Sequence, residues 1–442
     1  MYTQGKAGTG IMDYVKMYKD KLISIDDALD KIKSKDRIFV GFYGGEPQGI
    51  LGQIHKIAPR VEDVEIWKAT DMVDYPVFMD KAMKGHIEMR SIFYGKTARK
   101  MQGYKAIDYL PNDLHNVMPL KNQYNPCNVF MVTVAPMDDE GNFTLGSWVQ
   151  VERDALEAAD MVILEINENA PRTFGDTTIH ISEATYLVEN NCMLPELSSL
   201  SYTNIEEEIG NHVASLIRDG DCIQLGIGGT SNVVALNLKT KHDLGIHSEM
   251  MTDSMMELLK CGAVNNSKKN INTGKTVVSF GWGSRQLYGF IDGNEDILFK
   301  RSTYVNDPFV IAQNDNMVSI NTTLQVDLSG QVCSESIGNR QYSGTGGAFD
   351  FAYGALHAKG GRGIVAMPST AKGGQVSRIS AMLSEGAMVS ITRNAVDNIV
   401  TEFGVAPMRG RTLRERAKNL INIAHPDFRD QLRKEAEYLL LW

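Results

Sequence analysis

Cysteine is sparse and unclustered in this 442-residue chain: Cys127, Cys192, Cys222, Cys261 and Cys333 are five in number, with no C-x-x-C pair among them. An odd, scattered set of thiols excludes a disulfide scaffold or zinc ribbon and points to a reducing compartment. Basic charge is also short. With 45 Lys and Arg against 54 Asp and Glu, the formal net charge is -9, which lacks the basic excess of a nucleic-acid binder. No apolar run approaches the ~20 residues that span a bilayer, and the first twenty residues hold no apolar signal core. The expectation is a cytoplasmic protein with neither nucleic-acid nor membrane partners. The nine histidines form no H-x-x-x-H pair, and no cluster has metal-ligand spacing, so no metal is expected. A G-x-S-x-G elbow and a P-loop lysine are missing too.

What is present is an internal echo. Ser24 to Asp27 has the form of a helix capping box, followed by a buried strand at residues 36–40 and a glycine turn through Gly41, Gly44 and Gly45. Thr203 to Glu206 repeats the box, residues 221–225 the strand, and Gly226, Gly228 and Gly229 the turn. The offset is 185 residues both from Gly41 to Gly226 and from Gly44 to Gly229. Later strands at residues 128–134 and 317–321 run into comparable D-x-x-G turns at Asp138 and Asp327, 189 residues apart. Short apolar strands of this kind suit parallel sheets covered on both faces. The fold class is α/β, with two duplicated open α/β domains over residues 11–195 and 196–442, preceded by a disordered leader at residues 1–10.

Three features carry candidate chemistry. Gly226, Ile227, Gly228, Gly229 and Thr230 follow a strand and precede a helix, so this turn is either a tight strand–helix connection or a cradle for an anion. Ser343 begins a second cluster, with Gly344, Gly346 and Gly347, which allows close backbone approach to a ligand. Glu249 follows a short apolar stretch and so falls at the carboxyl end of a strand, the edge where open α/β sheets bind ligands. Spacing leaves three roles open for it: a solvated carboxylate, a ribose-binding acid, or a nucleophile. Glu402 is the rival carboxylate, and His247 reads as a structural neighbour of the site.

Taken in order, Gln224 to Gly228, Leu244 to Met250, Leu324 to Asp327 with Gly330, Ser343 to Gly347 with Asp350 and Phe351, Thr401 to Gly404, and Ile423 to Phe428 resemble motifs of the acetyl-CoA hydrolase/transferase family. The likeness is greatest to its 4-hydroxybutyrate and butyryl-CoA:acetate CoA-transferases. The resemblance implies two domains of the CoA-transferase type, with Glu249 as the glutamate that becomes a glutamyl-CoA thioester. It also implies CoA contacts at residues 226–230, Leu324 and Gly347, and an acyl pocket along residues 41–48. CoA is then substrate and covalent intermediate, with no metal or nucleotide cofactor, and the partners are acyl-CoA and small monocarboxylates. The backbone N–H groups of Gly44, Gly45, Gly228 and Gly229, with the side chain of Gln224, are the candidate oxyanion or orienting donors. Transfer by ping-pong turnover is the expected reaction, hydrolysis by the same glutamate the alternative. A homodimer or homotetramer is the expected assembly.

Overall fold

The computed structural model describes residues 13–104, 106–197 and 201–441; the leader expected over residues 1–10 lies outside them. The first half builds a sheet from β1 (Arg37–Val40), β2 (Val64–Lys68), β3 (Ile87–Ser91), β4 (Ile107–Tyr109), β5 (Val129–Val134), β6 (Met161–Ile166) and β7 (Tyr186–Glu189). Every pairing is parallel, in the order β7-β6-β5-β1-β2-β3-β4. The second half builds another from β8 (Cys222–Leu225), β9 (Gly245–Ile246), β10 (Met317–Thr322), β11 (Arg362–Ala366), β12 (Asn398–Thr401) and β13 (Gly404–Pro407). Its order is β9-β8-β10-β11-β12-β13, antiparallel only at the last pair.

The duplication is visible strand by strand. Aligning β1 with β8, the order β7-β6-β5-β1-β2 repeats as β12-β11-β10-β8-β9. The first half then extends through β3 and β4, the second through β13 on the opposite edge. The D-x-x-G turns repeat to the level of single hydrogen bonds. Asp138 Oδ1 accepts from the N–H groups of Glu140 and Asn142, and Asp327 Oδ1 accepts from those of Ser329 and Gln331. Gly141 and Gly330 both take positive φ, at 80° and 96°, where glycine alone is unstrained.

The capping boxes form as expected at α1 (Ile25–Asp30) and α2 (Asn204–Ser215), and a third caps the helix Leu413–Ile423 near the C-terminus. Two apolar residues at the helix starts, Ile205 and Leu413, are exposed. Both stand in the first turn, where side chains lean past the helix end and off the surface beneath. In β1 and β8 the apolar residues are buried without alternation, as parallel strands between two layers require. The halves are stitched together: Phe174–Gly175 joins the strand Ile297–Phe299, and Val149 N–H donates to Ser279 O at 3.0 Å. One apolar cluster therefore runs from Phe39 and Trp148 through to Ile320 and Val400.

Candidate active site

Glu249 lies two residues beyond an isolated bridge between His247 and Val277 and just before the short strand Met250–Met251. Its own carbonyl is tied down by Ser279 N–H at 2.9 Å and Phe280 N–H at 3.0 Å. With the backbone fixed at both ends, the carboxylate is aimed rather than free. Gln150 Nε2 donates to Oε1 at 3.0 Å and Asn306 Nδ2 to Oε2 at 3.1 Å. The backbone of Gly347 adds a third contact. Burial pushes the Glu249 carboxyl up to about 7. The Asn306, Gln150 and Gly347 hydrogen bonds oppose that rise, and the negative charge of Asp350 adds to it. A buried carboxyl raised toward neutrality and held by three hydrogen bonds is a candidate functional group.

Glu249 faces a cavity of about 270 Å³, whose walls include Tyr43, Phe93, Gln224, Phe280 and Trp282. Gly226, Ile227, Gly344, Gly346 and Gly347 complete it, so the two glycine clusters meet at this carboxylate. A neighbouring cavity of about 390 Å³ takes in Gly228, Gly229, Thr230, Leu324, Tyr342 and Arg378. The two share Ile227, Thr322, Ser334 and Ser343 and so adjoin as one channel beside the turn at residues 226–230. Gly228 opens the helix α3 (Gly229–Leu238) with φ of 121°, a conformation that glycine supplies. The Glu206 carboxylate lies against Gly229, where an added Cβ would come 2.5 Å from Oε1. Part of the helix N-terminus thus already faces an acidic side chain.

The first glycine turn contributes differently from expectation. Gly44 and Gly45 lie beneath Trp148, whose ring would come 2.3 Å from a Cβ on either residue. The Gly45 N–H is spent on Phe42 O at 2.7 Å. Buried carboxylates take up the surrounding amides: Glu152 accepts from Phe42 N–H at 2.8 Å, and Glu165 from Gly49 and Ile50 N–H at 2.9 and 3.0 Å. Glu46 is paired with Lys68 and accepts from Tyr75. The turn presents a side chain instead. Tyr43 is held at φ of 53°, a strained value for a non-glycine residue, with its ring stacked on Phe280 at 4.2 Å between centroids.

Gln224, at the end of β8, also lines the cavity, but its Oε1 accepts from Ile320 N–H at 3.0 Å. His247 is buried, donates through Nε2 to Val305 O at 2.8 Å, and is pushed down to about 3 by burial. It is therefore neutral, bracing the segment that carries Asn306. Glu402 is engaged elsewhere, accepting from Ser369 N–H at 2.8 Å and Ser369 Oγ at 2.6 Å. Gln150 and Asn306 escape sequence reading. Each is a lone polar residue far from Glu249 along the chain, and no motif marks it.

A duplicated open α/β architecture, with a carboxylate-centred cleft between its halves, is of the CoA-transferase type. The chain belongs to the acetyl-CoA hydrolase/transferase family: residues 9–196 match its N-terminal domain and residues 283–436 its C-terminal domain. It is 43% identical to 4-hydroxybutyrate coenzyme A transferase of Clostridium kluyveri, covering 96% of this chain and 99% of that one. It is 34% identical to butyryl-CoA:acetate CoA-transferase of Anaerostipes caccae, over 98% and 99%. Among solved structures, RipA from Yersinia pestis superposes with a TM-score of 0.93 at 35% identity, covering 98% of this chain and 100% of that one.

Proposed function

We propose that the protein is a CoA-transferase moving CoA between a short-chain acyl-CoA, of the 4-hydroxybutyryl or butyryl kind, and a carboxylate such as acetate. Glu249 is the nucleophile. The observation that carries this reading is its carboxylate, gripped by Gln150 and Asn306 at the wall of the cavity where both glycine clusters converge. Transferase names on relatives at 34% and 43% identity over nearly the whole chain support it.

The ionised Glu249 attacks the thioester carbonyl, forming an acyl-glutamyl anhydride and expelling CoA thiolate. The thiolate attacks the glutamyl carbonyl, the donor acid leaves as carboxylate, and a glutamyl-CoA thioester remains. An incoming acid reverses both steps. When the thiolate adds to the glutamyl carbon, negative charge gathers on an oxygen of Glu249 itself. Gln150 donates to Oε1 and Asn306 to Oε2, so the one that serves the oxygen not bonded to the acyl group is the oxyanion donor, worth about 2.7–4 kcal/mol, and the other holds the oxygen that leaves with the donor acid. Gln224 serves as an orienting residue, and Gly44 and Gly45 act by supporting Tyr43. The turn at residues 226–230, Leu324, Gly344 and Gly346 hold CoA along the channel, where binding energy far from the reacting carbon supports orientation. Water must be kept from the anhydride, and the stacked Tyr43 and Phe280 rings provide an apolar wall for that purpose. The five free cysteines fit a reducing cytoplasm.

Borohydride reduction after incubation with butyryl-CoA or acetyl-CoA tests the reading. Modification of the peptide carrying Glu249, only after acyl-CoA exposure, is the expected result. Thioester loss that proceeds at the same rate without added acid would instead identify a hydrolase.

A further inference from the structure

Asp350 is a fully buried carboxylate in the first turn of the helix α4 (Ala348–His357), three residues after Gly347. A buried charge costs several kcal/mol unless hydrogen bonds replace its water. Here both come from the other half of the molecule: His115 N–H donates to Oδ2 at 3.1 Å, and the His115 ring Nδ1–H to Oδ1 at 2.8 Å. The same N-terminal segment holds the glycine cluster by a second bond, Thr345 Oγ1 to Asn112 O at 2.9 Å. Asn112 is itself braced on Leu110 O and Ile92 O, at 2.8 and 3.1 Å. The backbone of Gly347, which touches Glu249, is thus suspended between two anchors that belong to the first half.

We infer that His115 is a positioning residue for Glu249: by gripping the Asp350 carboxylate with its backbone and ring, it seats the first turn of α4 and so the Gly347 backbone against the nucleophile. The inference rests on the proposed role of Glu249. It goes beyond that role in making the alignment of the second half's carboxylate depend on a side chain of the first half. The first turn of α4 is entered from Gly344, Gly346 and Gly347, a backbone without side chains to fix it, so a shift at Asp350 passes to Gly347, the residue that caps the helix. His115 touches no reacting atom in this scheme.

Two polar variants separate the role from mere stability. An asparagine amide nitrogen falls near the position of Nδ1, whereas a glutamine amide nitrogen falls near that of Nε2, out of line with Oδ1. The rate of Glu249 labelling by butyryl-CoA and borohydride is measured for the wild type, His115→Asn and His115→Gln, with thermal unfolding alongside. The expected result is labelling within about threefold of wild type for H115N and at least tenfold slower for H115Q, with KM for butyryl-CoA changed much less than kcat. Equal rates for the two variants, or a wild-type rate for H115Q, would overturn the inference. Should H115Q not fold, a tenfold loss in folded H115N would overturn it equally, since the donor is retained there. Absence of Glu249 labelling in the wild type would count against the nucleophile assignment and is read separately.

Discussion

Gly347 lies so close to Glu249 that a Cβ built on its backbone would stand 2.1 Å from Oε2, and 2.2 Å from the Asn306 amide nitrogen that serves the same oxygen. Its φ of −88° is one any residue adopts, so glycine is required here for space alone.

Gly347→Ala is therefore expected to displace either the carboxylate or its Asn306 donor without disturbing the fold. Misplacing the reacting group by about 1 Å costs on the order of 100-fold in rate. Steady-state kinetics should show kcat falling by about that factor. The thermal midpoint should move by no more than a few degrees.

The raised ionisation of Glu249 sets a pH dependence. Attack needs the ionised form, so kcat/KM should fall tenfold per pH unit below about 7. For stability the sign is opposite. Unfolding returns the carboxyl to its ordinary value of 4.5, so the folded state carries no penalty at pH 4 and the full penalty above pH 7. Glu249→Gln removes it. The variant should be more stable than wild type at pH 8, by on the order of 3 kcal/mol, and equally stable near pH 4, as read from urea unfolding. An equal gain at both pH values would refute the buried-charge account.

Much of this was legible beforehand because duplication writes itself twice. The echo from Gly41 to Gly226 and from Asp138 to Asp327 reflects two copies of one strand order, and the local chemistry of a D-x-x-G turn is the same wherever it occurs. Capping boxes at Ser24 and Thr203 were readable for the same reason, since both partners sit within one turn. What could not be read depends on contacts across long stretches of chain. Gln150 and Asn306 meet at Glu249 only after both halves have folded, and each looks like any surface amide in isolation. At Gly44 and Gly45 the covering group is likewise distant along the chain, the Trp148 ring, although the Gly45 N–H itself closes locally on Phe42 O. Glycines next to a strand suggest open amides, but Glu152 and Glu165, more than a hundred residues away, reach back to take up the donors of this segment.

Glu402 and Glu249 both precede short glycine-containing or apolar segments at strand ends, and only their partners distinguish them. Ser369 holds the Glu402 carboxylate through two hydrogen bonds, which marks it as a loop anchor. Glu402→Gln should keep kcat within about threefold of wild type and lower stability by about 1–2 kcal/mol, the scale of a charged hydrogen bond made weaker. Butyryl-CoA turnover and urea midpoints check the two parts. A variant as inactive as Glu249→Gln would shift the nucleophile to Glu402.

Lys68 is buried to 1% exposure between Glu46 at 2.6 Å and Asp71 at 2.7 Å, themselves 1% and 3% exposed. This triad ties the end of β2 to the turn at residues 41–48, and with it the strained Tyr43 of the cavity wall. Lys68→Met removes the one cation and leaves two carboxylates facing each other away from water. Breaking a buried pair in this way costs about 3–5 kcal/mol, so the urea midpoint should drop steeply. Replacing all three, as Lys68→Met with Glu46→Gln and Asp71→Asn, removes the stranded charges and should recover a large part of the loss. Activity tells the two effects apart. If the triad matters through Tyr43, the recovered triple variant should fold yet bind acyl-CoA with a raised KM. A triple variant no more stable than Lys68→Met would show that packing, not charge, is what the cluster supplies.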